Sequence, residues 1–333
     1  MLGGVGDAVH VLPVLNAIKR AAPDCRITCV DTQPPAGLLR THPAVDRTVV
    51  FDRRAGSGVA ALRRALRGES FDVTLNLSVY FKGAVATVLS GAPVRIGFGK
   101  GIARDGAWLC NNRYVAATGR KHTQELFLDF LDALGMAREP MEWRLEPTAE
   151  EREEQTRFFA PLAGRPVAAV VPASSKRKKD WVPERWVELV DRLDRECGLA
   201  PMLLGGPGAR ETALAEMIAD AALTDVVWAM EDGLRRLVWR IAGSRVVIAP
   251  DTGAIHIARA LGVPAIGLYG HTNPWRVGPW RAYEDLWIDR YTEPGAAPDP
   301  RTFAPKHGRM ERITTDDVIA KVKHALAMYP AAA

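Results

Sequence analysis

The sequence predicts an α/β protein of two doubly wound parallel-sheet domains facing a cleft, and three observations lead there. The chain has 333 residues, more than one hydrophobic core usually serves. Short β-branched runs alternate with amphipathic helical stretches along it, which is the pattern of right-handed βαβ crossovers and parallel sheets. The alternation is interrupted at 137–165, a stretch rich in Pro, Glu and Arg that reads as a domain boundary.

In chain order, the loop Gly3-Gly4-Val5-Gly6-Asp7 leads directly into a helix over 8–21. A glycine turn of this type normally follows a buried strand, yet Met1 and Leu2 are all that precede it. Either a first strand is cut short or the sheet does without one. Strands are expected at 26–31, 48–51, 71–77 and 94–97, where Val, Ile, Phe and Thr cluster between turn residues. Helices at 59–67 and 123–134 complete a first domain, 1–145. The second, 146–333, opens at Thr148, with Glu151 three residues on as a capping box. Its strands fall at 167–172, 201–205, 226–229, 245–249 and 265–269, and its helices at 183–196, 210–221 and 234–242. The segment 289–308, with four prolines, reads as a loop. A last helix over 315–329 joins this domain or packs back on the first. Both domains are Rossmann-like, and open sheets of this kind place ligands at their strand C-termini.

Composition narrows the function classes. With 47% hydrophobic and 25% charged residues the chain is globular, and no apolar run approaches the roughly 20 residues of a membrane span. The N-terminus lacks the uninterrupted apolar stretch of a signal peptide. Cys25, Cys29, Cys110 and Cys197 form no CxxC pair, so they read as reduced, buried thiols in a cytosolic protein. Residues 1–120 carry 16 Lys and Arg against 8 Asp and Glu, whereas the remainder is slightly acidic. That asymmetry points to an anionic partner for the first domain, against the plainer reading of a solvated Arg-rich surface. Interleaved aromatics and a reading helix are missing from it, which argues against nucleic acid.

Four clusters carry chemistry. The first is the turn Asp251-Thr252-Gly253, between a buried strand and a helix that holds His256 one turn in. Free N–H groups and the positive dipole end at such a helix start favour a phosphate. The rival reading is that Asp251 or Thr252 caps the helix. The second is Ala173-Ser174-Ser175-Lys176-Arg177-Lys178-Lys179-Asp180-Trp181-Val182-Pro183, directly after a strand, with hydroxyls and ammonium groups suited to phosphate or, alternatively, a solvated basic loop. The third is Gly205-Gly206-Pro207 before the helix holding Glu211, whose carboxylate can accept hydrogen bonds from ribose or simply face solvent. The fourth is Gly3–Asp7, which superficially matches a dinucleotide fingerprint, with Asp31 where a ribose-binding acid would sit. Val9 stands in place of its third glycine, however. Asp7 against a pyrophosphate at 4 Å would cost about 4 kcal/mol at an effective dielectric of 20. The loop therefore suits an uncharged hydroxyl, with Asp7 as general base or as N-cap of its helix. No DxD pair lies in a glycine- or serine-rich loop as a metal clamp, so helix dipole and lysine would have to neutralise a leaving diphosphate.

In this order and spacing the clusters resemble the glycosyltransferase family that holds the bacterial lipopolysaccharide heptosyltransferases (glycosyltransferase family 9), with a GT-B fold. Gly6-Asp7-Ala8-Val9-His10 with Leu12-Pro13 resembles that family's N-terminal motif. Ser174-Ser175 with Lys179 and Trp181-Val182-Pro183 resembles its donor-phosphate loop, with Val182 inserted before the usual proline. Asp251-Thr252-Gly253 and His256, then Ala260 to Pro264 and Tyr269-Gly270-His271-Thr272-Asn273-Pro274, resemble its longest motif.

The resemblance implies inverting, metal-independent transfer of a heptose from ADP-heptose to a lipopolysaccharide inner-core acceptor of the lipid A–Kdo type, with no cofactor. The first domain would bind acceptor and the second the nucleotide sugar. Asp7 would act as general base. Ser174, Ser175, Lys179, Thr252 and Gly253 would hold the diphosphate, Glu211 would lie near the ribose, Met230 near adenine, and Asp251 and His256 near the donor sugar and phosphates. The basic residues Arg53, Arg54, Arg63, Arg64 and Arg67 would suit a phosphorylated lipid acceptor, giving a cytoplasmic protein in peripheral contact with the inner face of the inner membrane. The alternatives are an enzyme of the same fold using another sugar nucleotide, whether transferase or epimerase, and a non-catalytic nucleotide-binding module.

Overall fold

The computed structural model describes residues 3–52, 55–116, 119, 121–230 and 233–330. Arg53 and Arg54 lie outside the described residues. The chain divides into two compact units, Met1–Arg144 and Leu145–Ala333.

The first unit runs α1 (Val5–Ala21), β1 (Thr28–Asp31), α2 (Ala36–Leu39), β2 (Arg47–Val50), α3 (Gly58–Leu66), β3 (Val73–Asn76), α4 (Phe81–Leu89), β4 (Val94–Gly97), β5 (Arg113–Tyr114) and α5 (Thr123–Ala133). Among the described residues its strands form two parallel sheets, β1-β2 and β3-β4-β5. The helix α1 packs chiefly on α5. A buried exchange locks the pair: His10 Nδ1 lies 2.8 Å from Gln124 Oε1, and Gln124 Nε2 donates to the His10 carbonyl at 2.8 Å. Pairing buried polar groups in this way avoids the cost of leaving them unsatisfied.

Periodicity missed α4, for a physical reason. Its small residues, Gly83, Ala84 and Thr87, are the buried ones, and Phe81 and Val88 face outward. A Cβ at Gly83 would lie 2.5 Å from both Asn76 Oδ1 and Ser78 Cβ, so the helix sits directly on the end of β3. An apolar stripe that points away from the core does not register as an amphipathic helix.

The second unit contains α6 (Ala149–Phe159), β6 (Val167–Val170), α7 (Pro183–Cys197), β7 (Ala200–Gly205), α8 (Ala209–Ala221), β8 (Val227–Met230), α9 (Leu234–Ala242), β9 (Val246–Pro250), α10 (Gly253–Leu261), β10 (Ala265–Tyr269), α11 (Pro274–Val277), β11 (Ile288–Asp289) and α12 (Thr315–Met328). Thr148 and Glu151 form the capping box of α6: Glu151 accepts the Thr148 N–H at 2.9 Å, and Thr148 Oγ1 accepts the Glu151 N–H at 3.3 Å. The strands make one parallel sheet in the order β11-β10-β9-β6-β7-β8. All four residues of β6 are buried, as a strand covered by helices on both faces must be. From β6 the chain proceeds outward to β8; it then returns to β9 and proceeds the other way. Strand order therefore reverses between β6 and β9, where Ala168 pairs with Val246 and Val170 with Ile248. The last helix, α12, buries Val318, Ile319, Val322 and Ala325 in this unit's core and packs against α7. Thr315 Oγ1 donates to Glu188 there at 2.8 Å. The four cysteines are unpaired and half-buried rather than fully buried.

Candidate functional site

The C-termini of β6 and β9 flank the reversal of strand order, the usual ligand position in a doubly wound sheet. Two of the predicted clusters meet there. Lys179, in a 3₁₀ turn after β6, places Nζ 2.6 Å from Asp251 Oδ2 and 3.2 Å from the Asp251 carbonyl. Both side chains are largely buried, which strengthens the pairing relative to a surface salt bridge. The rival reading of Asp251 and Thr252 as caps does not describe this turn. Asp251 is engaged by Lys179, and Thr252, the N-cap residue of α10, makes no side-chain cap bond. The Thr252 hydroxyl oxygen is buried with no hydrogen-bond partner among the described residues. An uncapped nine-residue helix, a lysine paired with the Asp251 carboxylate and a buried hydroxyl are thus neighbours, a setting suited to a phosphate. His256 is buried one turn into α10.

The remaining predicted residues extend along the same sheet edge. Ser174 is buried and its hydroxyl is engaged within its own loop, 2.7 Å from the Lys176 carbonyl and 2.9 Å from Asp180 Oδ1. It shapes the turn, while Ser175 is exposed. Glu211, at the start of α8, accepts the Gly206 N–H at 3.0 Å. Met230 ends β8 beside the Gly205 turn: a Cβ at Gly205 would lie 2.5 Å from Met230 Cε and 3.8 Å from Glu211 Oε2. Glu211 and Met230 therefore both approach Gly205.

Sequence reasoning included Asp180 in the second cluster without a role and missed Arg210, and these two residues join the loops. Asp180 Oδ1 accepts the Ser174 N–H at 2.8 Å, and Arg210, next to Glu211, bonds both Asp180 Oδ2 and the Ser174 carbonyl. The partners of Arg210 lie 30 and 36 residues away, too distant for any local signal. His271 was quoted only as part of a motif. It is buried, its Nδ1 lies 2.8 Å from the Lys306 carbonyl, and burial lowers its pKa, with His307, Lys179 and Lys178 adding to the effect. Its neutral form is therefore favoured beside the lysines of the second cluster.

In the first unit, Asp7 is not the N-cap of its helix. The helix starts at Val5 with Gly4 as N-cap, and Asp7 Oδ2 accepts the Gly4 N–H at 2.9 Å. That is one half of a capping box, which holds the carboxylate at the helix mouth. Asp31 supports the loop from beneath. It is 0% exposed, and its Oδ1 accepts the N–H groups of Thr32 at 2.7 Å and Gly3 at 3.4 Å. Its other oxygen is buried with no partner among the described residues.

Burial pushes the Asp31 carboxyl up to about 6. Because this lies above the unfolded value of about 3.9, the stability it confers is complete below about pH 4 and is lost as pH rises through about 6. Asp31→Asn, which keeps the acceptor oxygen, is expected to raise stability at pH 8 by up to about 3 kcal/mol, with the gain shrinking towards pH 4. Urea unfolding at the two pH values checks this; a gain independent of pH would refute the assigned ionisation.

Comparison with known proteins places these observations in a family. The model for glycosyltransferase family 9 (heptosyltransferase) matches residues 59–294. The lipopolysaccharide core heptosyltransferase OpsX of Haemophilus influenzae is 27% identical over 331 residues, covering 97% of this chain and 94% of the relative. Lipopolysaccharide heptosyltransferase 1 of Escherichia coli is 25% identical over 290 residues, 82% of this chain and 87% of that one. Among solved structures, a family 9 glycosyltransferase of Veillonella parvula superposes with a TM-score of 0.82 at 20% identity, covering 98% of this chain and 96% of its own. The E. coli heptosyltransferase WaaC with ADP gives 0.75 at 22%, covering 97% and 98%. The fold is accordingly GT-B, with the parallel sheets described above. With the family model spanning most of its length, the chain belongs to glycosyltransferase family 9, the heptosyltransferases.

Proposed function

We propose that this glycosyltransferase moves a heptose from ADP-heptose to an anionic lipopolysaccharide inner-core acceptor, with inversion and without a divalent metal. The observation that carries the reading is the pairing of Lys179 with Asp251 at the uncapped start of α10, beside the unpartnered Thr252 hydroxyl. Lys179 and the helix dipole supply positive charge where a diphosphate leaving group would develop its negative charge. Thr252, Gly253 and Ser175 would contact the phosphates, with Ser174 holding the loop in shape. Met230 and Glu211 would take the adenine and ribose, and Asp251 and His256 would lie near the heptose.

In this reading Asp7 takes the proton from the acceptor hydroxyl as its oxygen attacks the anomeric carbon, and the bond to the diphosphate breaks on the opposite face. The donor assignment draws on E. coli relatives whose structures hold ADP and ADP-2-deoxy-2-fluoro heptose. The acceptor assignment draws on relatives named as lipopolysaccharide heptosyltransferases. The basic first unit suits a phosphorylated lipid acceptor presented at a membrane surface.

Mass spectrometry of products from purified protein with ADP-heptose and a de-acylated inner-core acceptor tests the proposal. The expected result is an acceptor heavier by one heptose and stoichiometric ADP. Turnover of ADP-heptose at the same rate without acceptor, or of a different sugar nucleotide only, would overturn it.

A further inference from the structure

The outward face of α3 and α4 combines large exposed apolar side chains with basic ones. Between these helices lies an open cavity of about 770 Å³, lined mainly by Phe51, Val59, Tyr80, Phe81 and Val85, with Lys82 and the carboxylate of Asp105 at its edge. On α4, Phe81, Val85 and Val88 follow at i, i+4 and i+7 and form one stripe. Phe81 is 49% exposed, Val88 56% and Val59 on α3 53%. The 3₁₀ turn Ala107–Cys110 packs against α4 and adds Leu109, 76% exposed. Apolar side chains at this density on neighbouring elements mark an interaction surface rather than scattered surface residues.

The charge of the segment that carries the patch points to what it fits. Residues 58–114 carry eight Lys and Arg against three Asp and Glu. Arg63 follows Val59 by one helical turn on the same face of α3, and Arg63, Arg64, Arg67, Lys100 and Arg113 are all exposed. Large apolar side chains flanked by basic ones match an interface that is hydrocarbon below and phosphate above. Among the described residues no helix is long and apolar enough to cross a membrane, so attachment through this face would be peripheral.

We infer that the α3–α4 face docks the protein on an anionic phospholipid bilayer. Phe81, Val59, Val88 and Leu109 enter the headgroup–acyl boundary, and the arginines of α3 pair with lipid phosphates. The inference rests on the membrane contact proposed above and is independent of the donor assignment.

Co-sedimentation of the full chain with phosphatidylglycerol-containing vesicles and with phosphatidylcholine vesicles tests it. Binding is expected to the anionic vesicles and not to the neutral ones, with release at high salt. Arg63→Glu with Arg64→Glu should weaken partitioning by more than about tenfold. Phe81→Ser with Leu109→Ser should weaken it comparably, while the unfolding midpoint and transfer to a de-acylated, water-soluble acceptor stay unchanged. Val88→Asp, at another exposed position, is the second variant should that pair fold poorly. Failure of the wild type to bind anionic vesicles, or unchanged binding by the apolar variants, overturns the inference. So does a wild-type dimer in sedimentation that these variants dissociate, since the face would then belong to a second copy. Vesicle binding without heptose transfer would uphold the surface and overturn only the proposed reaction.

Discussion

Asp7→Asn is expected to lower kcat for glycosyl transfer by about 10²–10⁴-fold while leaving ADP affinity within about twofold of wild type. Asparagine keeps an oxygen for the Gly4 N–H that Asp7 Oδ2 accepts at 2.9 Å, so the start of α1 should persist. It lacks a carboxylate to receive the acceptor proton. Asp7→Ala would remove both and add about 1 kcal/mol of lost capping, so comparing the two variants separates catalysis from helix stability. ADP release followed with acceptor present, alongside calorimetric titration of ADP, provides the measurement. Transfer near the wild-type rate in the Asn variant would reduce Asp7 to a capping residue and end the proposed mechanism.

Lys179→Ala should be nearly as damaging, and for a different reason. Its ammonium lies 2.6 Å from Asp251 Oδ2, so its loss removes a cation and leaves a carboxylate facing the leaving diphosphate. A drop of about 10²–10³ in kcat is expected, of the order seen when one charge-stabilising donor is lost from an active site. ADP binding should weaken more than tenfold as well, by about 1.4 kcal/mol or more. The double variant Lys179→Ala with Asp251→Asn should recover part of that affinity, because the uncompensated charge is gone. If the single variant bound ADP normally, or the double variant bound no better than the single, the loops that follow β6 and β9 would not be the diphosphate site.

The two predictions differ in how far the sequence alone supports them. The place of Asp7 at a helix mouth is legible locally, because a glycine-rich stretch followed by an apolar helical pattern has few conformations open to it. The helix begins three residues earlier than the sequence suggests, so Gly4 and not Asp7 is its N-cap. The pairing of Lys179 with Asp251 spans 72 residues and leaves no trace in either segment's own pattern. The same is true of Arg210, which joins the Glu211 helix to the Ser174 loop across 36 residues. Ser174 shows the converse: its residue type suited a phosphate contact, but its hydroxyl is engaged by Lys176 and Asp180.

Local physics therefore determined the elements: the β-branched runs that became β1–β4 and β6–β10, the Thr148 capping box, and the small-residue turn before α10. These depend on neighbours a few residues away, and the chain carries them in plain form. Packing decided the rest. The outward stripe of α4 escaped notice because burial there falls on Gly83, Ala84 and Thr87, a choice made by the end of β3 pressing on the helix. Strand order is likewise a property of the assembled sheet, and the reversal between β6 and β9 brings two distant loops into contact. The strand–turn–helix at Asp251 could be read from the sequence, but the sheet placed Lys179 against it.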